Sequence, residues 1–180
     1  MKNFTYFRPQ SVAQAVGLLE NRFGNTELLA GGTDLISLQK EYVAQPARVV
    51  SLNAIPNFSA ITVDDQNPPR WIRVGAGATL ASIAAHAGLR QHCAALTSAA
   101  GEIAGPQIRN MGTLGGSLCQ RNRCWYFRDE HTNCLLKGGQ RCFALDGENR
   151  YHAIFTQNQP CVIVSPSTWG CTMGPPADRL

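Results

Sequence analysis

Seven cysteines occur in this chain of 180 residues, at positions 93, 119, 124, 134, 142, 161 and 171. Three of them fall inside RCWYFRDEHTNCLLKGGQRC, residues 123–142, among arginines, aromatics and two glycines. Thiols gathered by a loop can pair as disulfides, ligate a metal, or stay unreacted in the core. In a chain kept in a reducing compartment disulfides are a poor account of the cluster. Metal or iron–sulfur ligation leads, and a set of buried, unreacted thiols is the alternative. Cys93 sits in a helical pattern and reads as a plain thiol. Four thiolates also make a closed tetrahedral zinc site, which His131 or His152 could join, but the C-x-x-C pairs of zinc ribbons are missing.

Three glycine-bearing segments carry a second kind of chemistry. AGGTD (30–34) follows a strand pattern and opens a helical turn, where glycine lets backbone N–H groups approach a phosphate and the helix start adds a favourable dipole. GAGAT (75–79) has the same setting and resembles the start of a dinucleotide fingerprint, but Leu80 stands where the third glycine belongs, so a tight strand-to-helix turn is the simpler reading. RNMGTLGGSL (109–118) holds three glycines with Thr113 and Ser117. Taken together, the three loops suggest a ligand with two phosphates and a large ring system.

The elements that would position these loops can be read from periodicity. Ser11 caps a helix through residues 11–22, with Val12, Ala15, Val16 and Leu19 on one face and Gly24 ending it. Strands are expected at TELLA, ARVVSLN, AITVDD and WIRVGAG. Thr79 caps a helix over 80–92, and a third helical stretch covers 94–104. Residues 105–117 read as a glycine-rich loop, and residues 119–161 as a cysteine-bearing one. Strand–helix alternation in the first half argues for a small α/β lobe.

Composition narrows the class. Hydrophobic residues at 44% against 16% charged describe a globular chain. The net charge of +4 is spread out, with no basic run to serve as a nucleic-acid arm. No apolar stretch reaches membrane-spanning length. MKNFTYFRPQ lacks the apolar core of an export signal. A cytoplasmic location is therefore expected, or a periplasmic one if the chain is exported folded on a signal-bearing partner.

The order LLAGGTDL, VGAGATL, IRNMGTLGGSL, RCWYFRD, ENRYHAI resembles the FAD-binding subunit of the molybdenum hydroxylases, the xanthine dehydrogenase and aldehyde oxidoreductase family, over residues 4–167. Within it the chain looks most similar to bacterial aldehyde oxidoreductase flavoprotein subunits with an inserted cysteine loop. The resemblance implies an α/β (α+β) FAD-binding fold of the p-cresol methylhydroxylase and molybdopterin dehydrogenase type. It would comprise an N-terminal lobe over 1–60 and an incomplete second lobe over 61–167, with the cysteine-rich loop at 119–161. It implies that Leu29, Ala30, Gly31, Gly32, Thr33 and Asp34 wrap the FAD pyrophosphate, mainly through backbone N–H groups. Thr113, Gly115, Gly116 and Ser117 would line the other side, with Ser117 where the family usually has Asn.

By the same resemblance Cys124, Cys134, Cys142 and Cys161 would hold a [4Fe–4S] cluster, soft thiolates suiting iron; Cys119 competes with Cys161 as fourth ligand. Thr168 stands where the family has Asp. Residues 168–180 are expected to form an aberrant unstructured tail, leaving the isoalloxazine side of the pocket incomplete. The implied function is an FAD and iron–sulfur electron-transfer subunit of a molybdenum-dependent aldehyde oxidoreductase. It would form a heterotrimer with a molybdenum-cofactor large subunit and a [2Fe–2S] small subunit, and pass electrons to an external acceptor. No catalytic acid or base is required of this chain. The alternative is a non-catalytic, zinc-stabilised fragment that only binds partner subunits.

Overall fold

The structure, a computed structural model, describes residues 1–22, 24–156 and 159–169. In the first sixty residues three strands form one parallel sheet. They are β1 (Thr5–Phe7), β2 (Thr26–Leu29) and β3 (Arg48–Ser51), with β3 in the middle. Val49 and Val50 point to opposite faces of β3 and both are buried, the pattern of a parallel strand covered on both sides. Two helices connect the strands, α1 (Val12–Gly17) and α2 (Leu35–Lys40). Ser11 caps α1 as expected, its hydroxyl accepting the Gln14 N–H at 3.2 Å. The helix stops at Gly17, well short of residue 22, and its expected inner face is exposed at Val12, Val16 and Leu19, leaving Ala15 as its buried residue. Glycine and two β-branched valines make a weak helix when little packs on that face to stabilise it.

The second half begins with an antiparallel pair, β4 (Ile61–Val63) and β5 (Ile72–Val74), and continues in short helices. The single helix expected over 80–92 is two, α3 (Leu80–Ala85) and α4 (Ala87–His92). His86 takes an extended conformation between them, and its Nδ1 accepts the Leu89 N–H at 3.2 Å, capping α4. The apolar spacing hid this break because Leu80, Ile83 and Leu89 all turn inward regardless. α5 (Ala94–Glu102) follows. The stretch expected to be a glycine-rich loop is largely helical, as α6 (Pro106–Met111) and α7 (Leu114–Leu118). Pro106 at the helix start and the Thr113 hydroxyl, which accepts the Gly116 N–H at 3.2 Å, outweigh the low propensity of Gly115 and Gly116.

Beyond α7 come α8 (Trp125–Arg128) and a 3₁₀ turn at Leu135–Lys137. Leu80, Ile83, Leu89, Ala100 and Leu114 form the main core of this half. Trp169 joins them, fully buried. The sequence reading placed this residue in the tail; an indole with a large apolar area has a core to enter, and the lack of periodicity around it carried no sign of that. Residues 170–180 of that expected tail lie outside the described residues. Among the described residues no helix is long and apolar enough to cross a membrane.

Candidate functional site

The three glycine segments, far apart in sequence, are stitched into one assembly. The Leu80 N–H donates to the Gly112 carbonyl at 2.9 Å, the Leu114 N–H to Ala78 at 2.9 Å, and the Gly115 N–H to Ala76 at 2.8 Å. Thr79 and Thr113 pair as an isolated bridge. The 30–34 loop rests on the same assembly: a Cβ at Gly31 would overlap the Met111 carbonyl, so only glycine permits this backbone approach. Next to it Gly32 adopts φ +75°.

Donor capacity divides the loops sharply. Gly115, Gly116 and Ser117 commit their N–H groups to Ala76, the Thr113 hydroxyl and the Thr113 carbonyl. Among the described residues the N–H groups of Gly31, Gly32 and Thr33 make no hydrogen bond. Loop 31–33 therefore offers free donors for an anionic group, and residues 113–117 form the rigid support beside it. Leu29 closes β2 just before the loop, and the Ala30 carbonyl accepts from Asn53 Nδ2 at 3.3 Å. Because α2 has only six residues, the loop amides rather than a helix dipole supply the attraction.

Asp34 does something the sequence did not disclose. It occupies the N-cap position of α2 but makes no capping bond. Its carboxylate accepts the Arg121 N–H at 2.8 Å, Arg123 Nη1 at 3.0 Å and Arg128 Nη2 at 2.7 Å. Burial pushes the Asp34 carboxyl up, yet the Arg128 and Arg121 hydrogen bonds and the charges of Arg123 and Arg128 outweigh it and hold the group below the usual carboxylate range.

The four proposed cysteine ligands line one cavity. Cys124, Cys134, Cys142 and Cys161 face it with Tyr126, Phe127, Leu135, Leu136, Phe143, Ala144 and Ile163. Cys119 and Cys93 are exposed and lie away from it. Burial pushes the Cys161 thiol up; the Ile163 backbone N–H opposes this, and the neighbouring Cys142 and Cys124 add to the rise. The cavity between them is narrow. Among the described residues no group of three or more His, Cys, Asp or Glu is arranged to hold a metal ion.

Two details of this segment escaped the sequence reading. A Cβ at Gly139 would overlap the Asn133 carbonyl, and the Gly139 N–H donates to the Cys134 carbonyl at 3.0 Å, so the Lys137-Gly138-Gly139 turn closes the loop between Cys134 and Cys142. Tyr126 and Phe143 stack at 6.1 Å to form one wall, with the Arg141 guanidinium 4.5 Å from the Phe143 ring. The Gly-Gly pair between two cysteines was the available signal. His131 is exposed. His152 packs edge-on against Trp125, 5.5 Å between ring centroids, and neither histidine lines the cavity.

Residues 2–136 match the family model described as the FAD binding domain in molybdopterin dehydrogenase. The chain belongs to this family. It is 34% identical to the aldehyde oxidoreductase FAD-binding subunit PaoB of Escherichia coli K12 over 174 residues, 96% of this chain and 53% of that one. It is also 34% identical to the nicotinate dehydrogenase FAD-subunit of Eubacterium barkeri over 119 residues, 66% of this chain and 39% of that one. Among solved structures, the reconstituted CO dehydrogenase from Oligotropha carboxidovorans superposes with a TM-score of 0.59 at 32% identity, covering 65% of this chain and 40% of the other. The chain thus spans about half the length of the aldehyde oxidoreductase subunit and about two fifths of the other two. The mixed α/β architecture is that of the FAD-binding family fold.

Proposed function

We propose that this chain is an FAD-binding, iron–sulfur-containing electron-transfer subunit of a molybdenum-dependent aldehyde oxidoreductase. The observation that carries the reading is the gathering of Cys124, Cys134, Cys142 and Cys161 around one cavity in a chain whose free loop amides suit a pyrophosphate. FAD would lie with its pyrophosphate against the N–H groups of Gly31, Gly32 and Thr33, over the support formed by residues 113–117. A [4Fe–4S] cluster would take the four cysteines. When bound, the two groups supply the electron chemistry.

The chain's own residues bind, orient and shield. Phe127, Leu135, Phe143 and Ile163 surround the cysteines with apolar side chains. The Ile163 backbone N–H works against the burial that pushes the Cys161 thiol up. One zinc ion on the same four sulfurs is the competing occupant, and the missing C-x-x-C pairs weigh against it. A [4Fe–4S] cluster would instead take one thiolate from each of Cys124, Cys134, Cys142 and Cys161.

The aldehyde oxidoreductase reading rests on the length of similarity. The alignment to that flavin subunit is longer than the one to the nicotinate enzyme by 174 − 119 = 55 residues, and at 96% of the chain it runs through the cysteine segment. By analogy with this family the partners would be a molybdenum-cofactor large subunit and a [2Fe–2S] small subunit. Electrons would enter from the small subunit and leave to an external acceptor.

Anaerobic reconstitution of the full chain with iron and sulfide tests the site. About four irons per chain and a broad visible absorption are expected for a Cys₄ cluster. Cys134→Ser and Cys142→Ser should each lose most of the iron, and Cys119→Ser and Cys93→Ser should keep it. Zinc uptake without visible absorption would replace this reading with that of a zinc-stabilised binding fragment.

A further inference from the structure

One carboxylate stands between the two candidate cofactor sites. Asp34 directly follows the unpaired N–H groups of Gly31–Thr33, and it is held by donors that lie 87 to 94 residues further along the chain. Those donors belong to the cysteine segment. Arg128 ends α8, and Cys124 is the residue that opens it. Arg128 Nε donates to the Asn122 carbonyl at 2.9 Å, and the Asn122 side-chain oxygen accepts the Cys124 N–H at 3.0 Å. A continuous set of hydrogen bonds therefore runs from the phosphate loop through Asp34, Arg128 and Asn122 to the first cysteine. One turn along α2, Leu38 packs against Phe127, Cys134 and Cys124, so an apolar contact accompanies the polar one. The Asp34 and Arg128 side chains are only 20% and 19% exposed, which limits solvent screening of the pair.

We infer that Asp34 is a positioning residue that couples the two sites, so that loading the cysteine cavity tightens FAD binding. This rests on the flavin-and-cluster reading above. The physical chain has three steps. A bound cluster would tie Cys124, Cys134 and Cys142 together and so fix residues 124–142 beyond the packing of Phe127 and Cys134 on Leu38. That order presents Arg121, Arg123 and Arg128 in fixed positions. Their three hydrogen bonds then hold the 31–34 loop with its amides outward and neutralise a carboxylate that would otherwise repel a pyrophosphate. Without the cluster the arginines would be held only by these hydrogen bonds and by the Leu38–Phe127 contact, and more of the ordering would fall to the flavin. Coupling of this kind is reciprocal: FAD must favour cluster loading by the same factor.

The test measures the FAD dissociation constant, by flavin fluorescence, for the full chain in metal-free and reconstituted forms. Couplings between sites commonly span roughly 5- to 150-fold, and about tenfold tighter binding in the reconstituted wild type is expected. Asp34→Asn keeps the shape of the side chain and removes its charge, and it should bring the ratio close to one. Arg128→Lys, which retains the charge but cannot bond Asp34 and the Asn122 carbonyl together in the guanidinium geometry, should keep part of the ratio. A merely structural role would weaken both forms equally and leave the ratio at its wild-type value. That result in Asp34→Asn overturns the inference, as does equal FAD affinity in the two wild-type forms. Failure of the wild type to bind FAD in either form, with correct folding by circular dichroism, overturns the flavin reading on which it rests.

Discussion

Replacing Trp169 by alanine should destabilise the chain by about 3 kcal/mol. The indole is fully buried among Leu80, Ile83, Leu89, Ala100 and Leu114. A tryptophan buries roughly 150–250 Å², which at about 25 cal/mol per Å² gives ~4–6 kcal/mol as an upper bound on the loss. Measured truncations of this size fall at about 3–5 kcal/mol. One feature of the site lowers the figure: the indole N–H is buried and has no partner among the described residues, a cost of ~1–3 kcal/mol that alanine would relieve. The net expectation of about 3 kcal/mol is a large part of a typical folding stability of about 5–15 kcal/mol. With a urea slope near 2 kcal/mol per M, the midpoint should fall by about 1.5 M. Urea titration of the full chain followed by circular dichroism reads this directly. Trp169→Phe serves as the internal control. It keeps most of the ring and deletes the unmatched N–H, so its midpoint should shift by less than about 0.5 M, the equivalent of ~1 kcal/mol. If the alanine variant shifts as little as the phenylalanine one, the segment around Trp169 does not belong to the core and the argument fails.

Other expectations follow from single atoms. Gly139→Ala would push a methyl group into the Asn133 carbonyl, opening the turn between Cys134 and Cys142; reconstituted iron per chain should fall to a minor fraction, while overall stability drops by about 1–3 kcal/mol. Gly31→Ala meets the Met111 carbonyl in the same way, so FAD affinity should fall at least tenfold, a loss of about 1.4 kcal/mol or more; unchanged affinity would detach this loop from the flavin. For Asp34 the sign follows from its lowered folded-state pKa: the stabilisation is fully present above the unfolded value near 3.9 and is lost as pH falls through the folded value. The stability difference between wild type and Asp34→Asn, measured by urea at pH 7 and pH 3 on metal-free chains, should therefore shrink at the lower pH; a difference that grows instead would remove the ion-pair account.

The family resemblance and the glycine pattern made proximity legible, not chemistry. The four cysteines that the resemblance singled out line one cavity, and the glycine segments meet. Helix boundaries were less legible. The stretch from Leu80 to His92 keeps one apolar spacing across the break at His86, since both helices bury into the same core. α7 contains two adjacent glycines and forms anyway, held by the Thr113 cap and by hydrogen bonds from Leu114 and Gly115 to the 76–78 loop. Tertiary contacts overrode propensity there.

Asp34 shows why the remaining part of the site was hidden. The resemblance puts Asp34 in the loop expected to wrap a pyrophosphate, and its residue type before a helical turn would also suit an N-cap. Nothing within several residues argues otherwise, and α2 begins where an N-cap reading would start it. The decisive facts are three arginine donors about ninety positions away, and only the fold brings them to the carboxylate. Capping contributes about 1 kcal/mol, whereas a half-buried carboxylate with three donors, two of them charged, can gain more from each charge-assisted bond. The competition therefore favours the distant partners, and the helix start goes uncapped so that the cysteine segment can be held against the 31–34 loop.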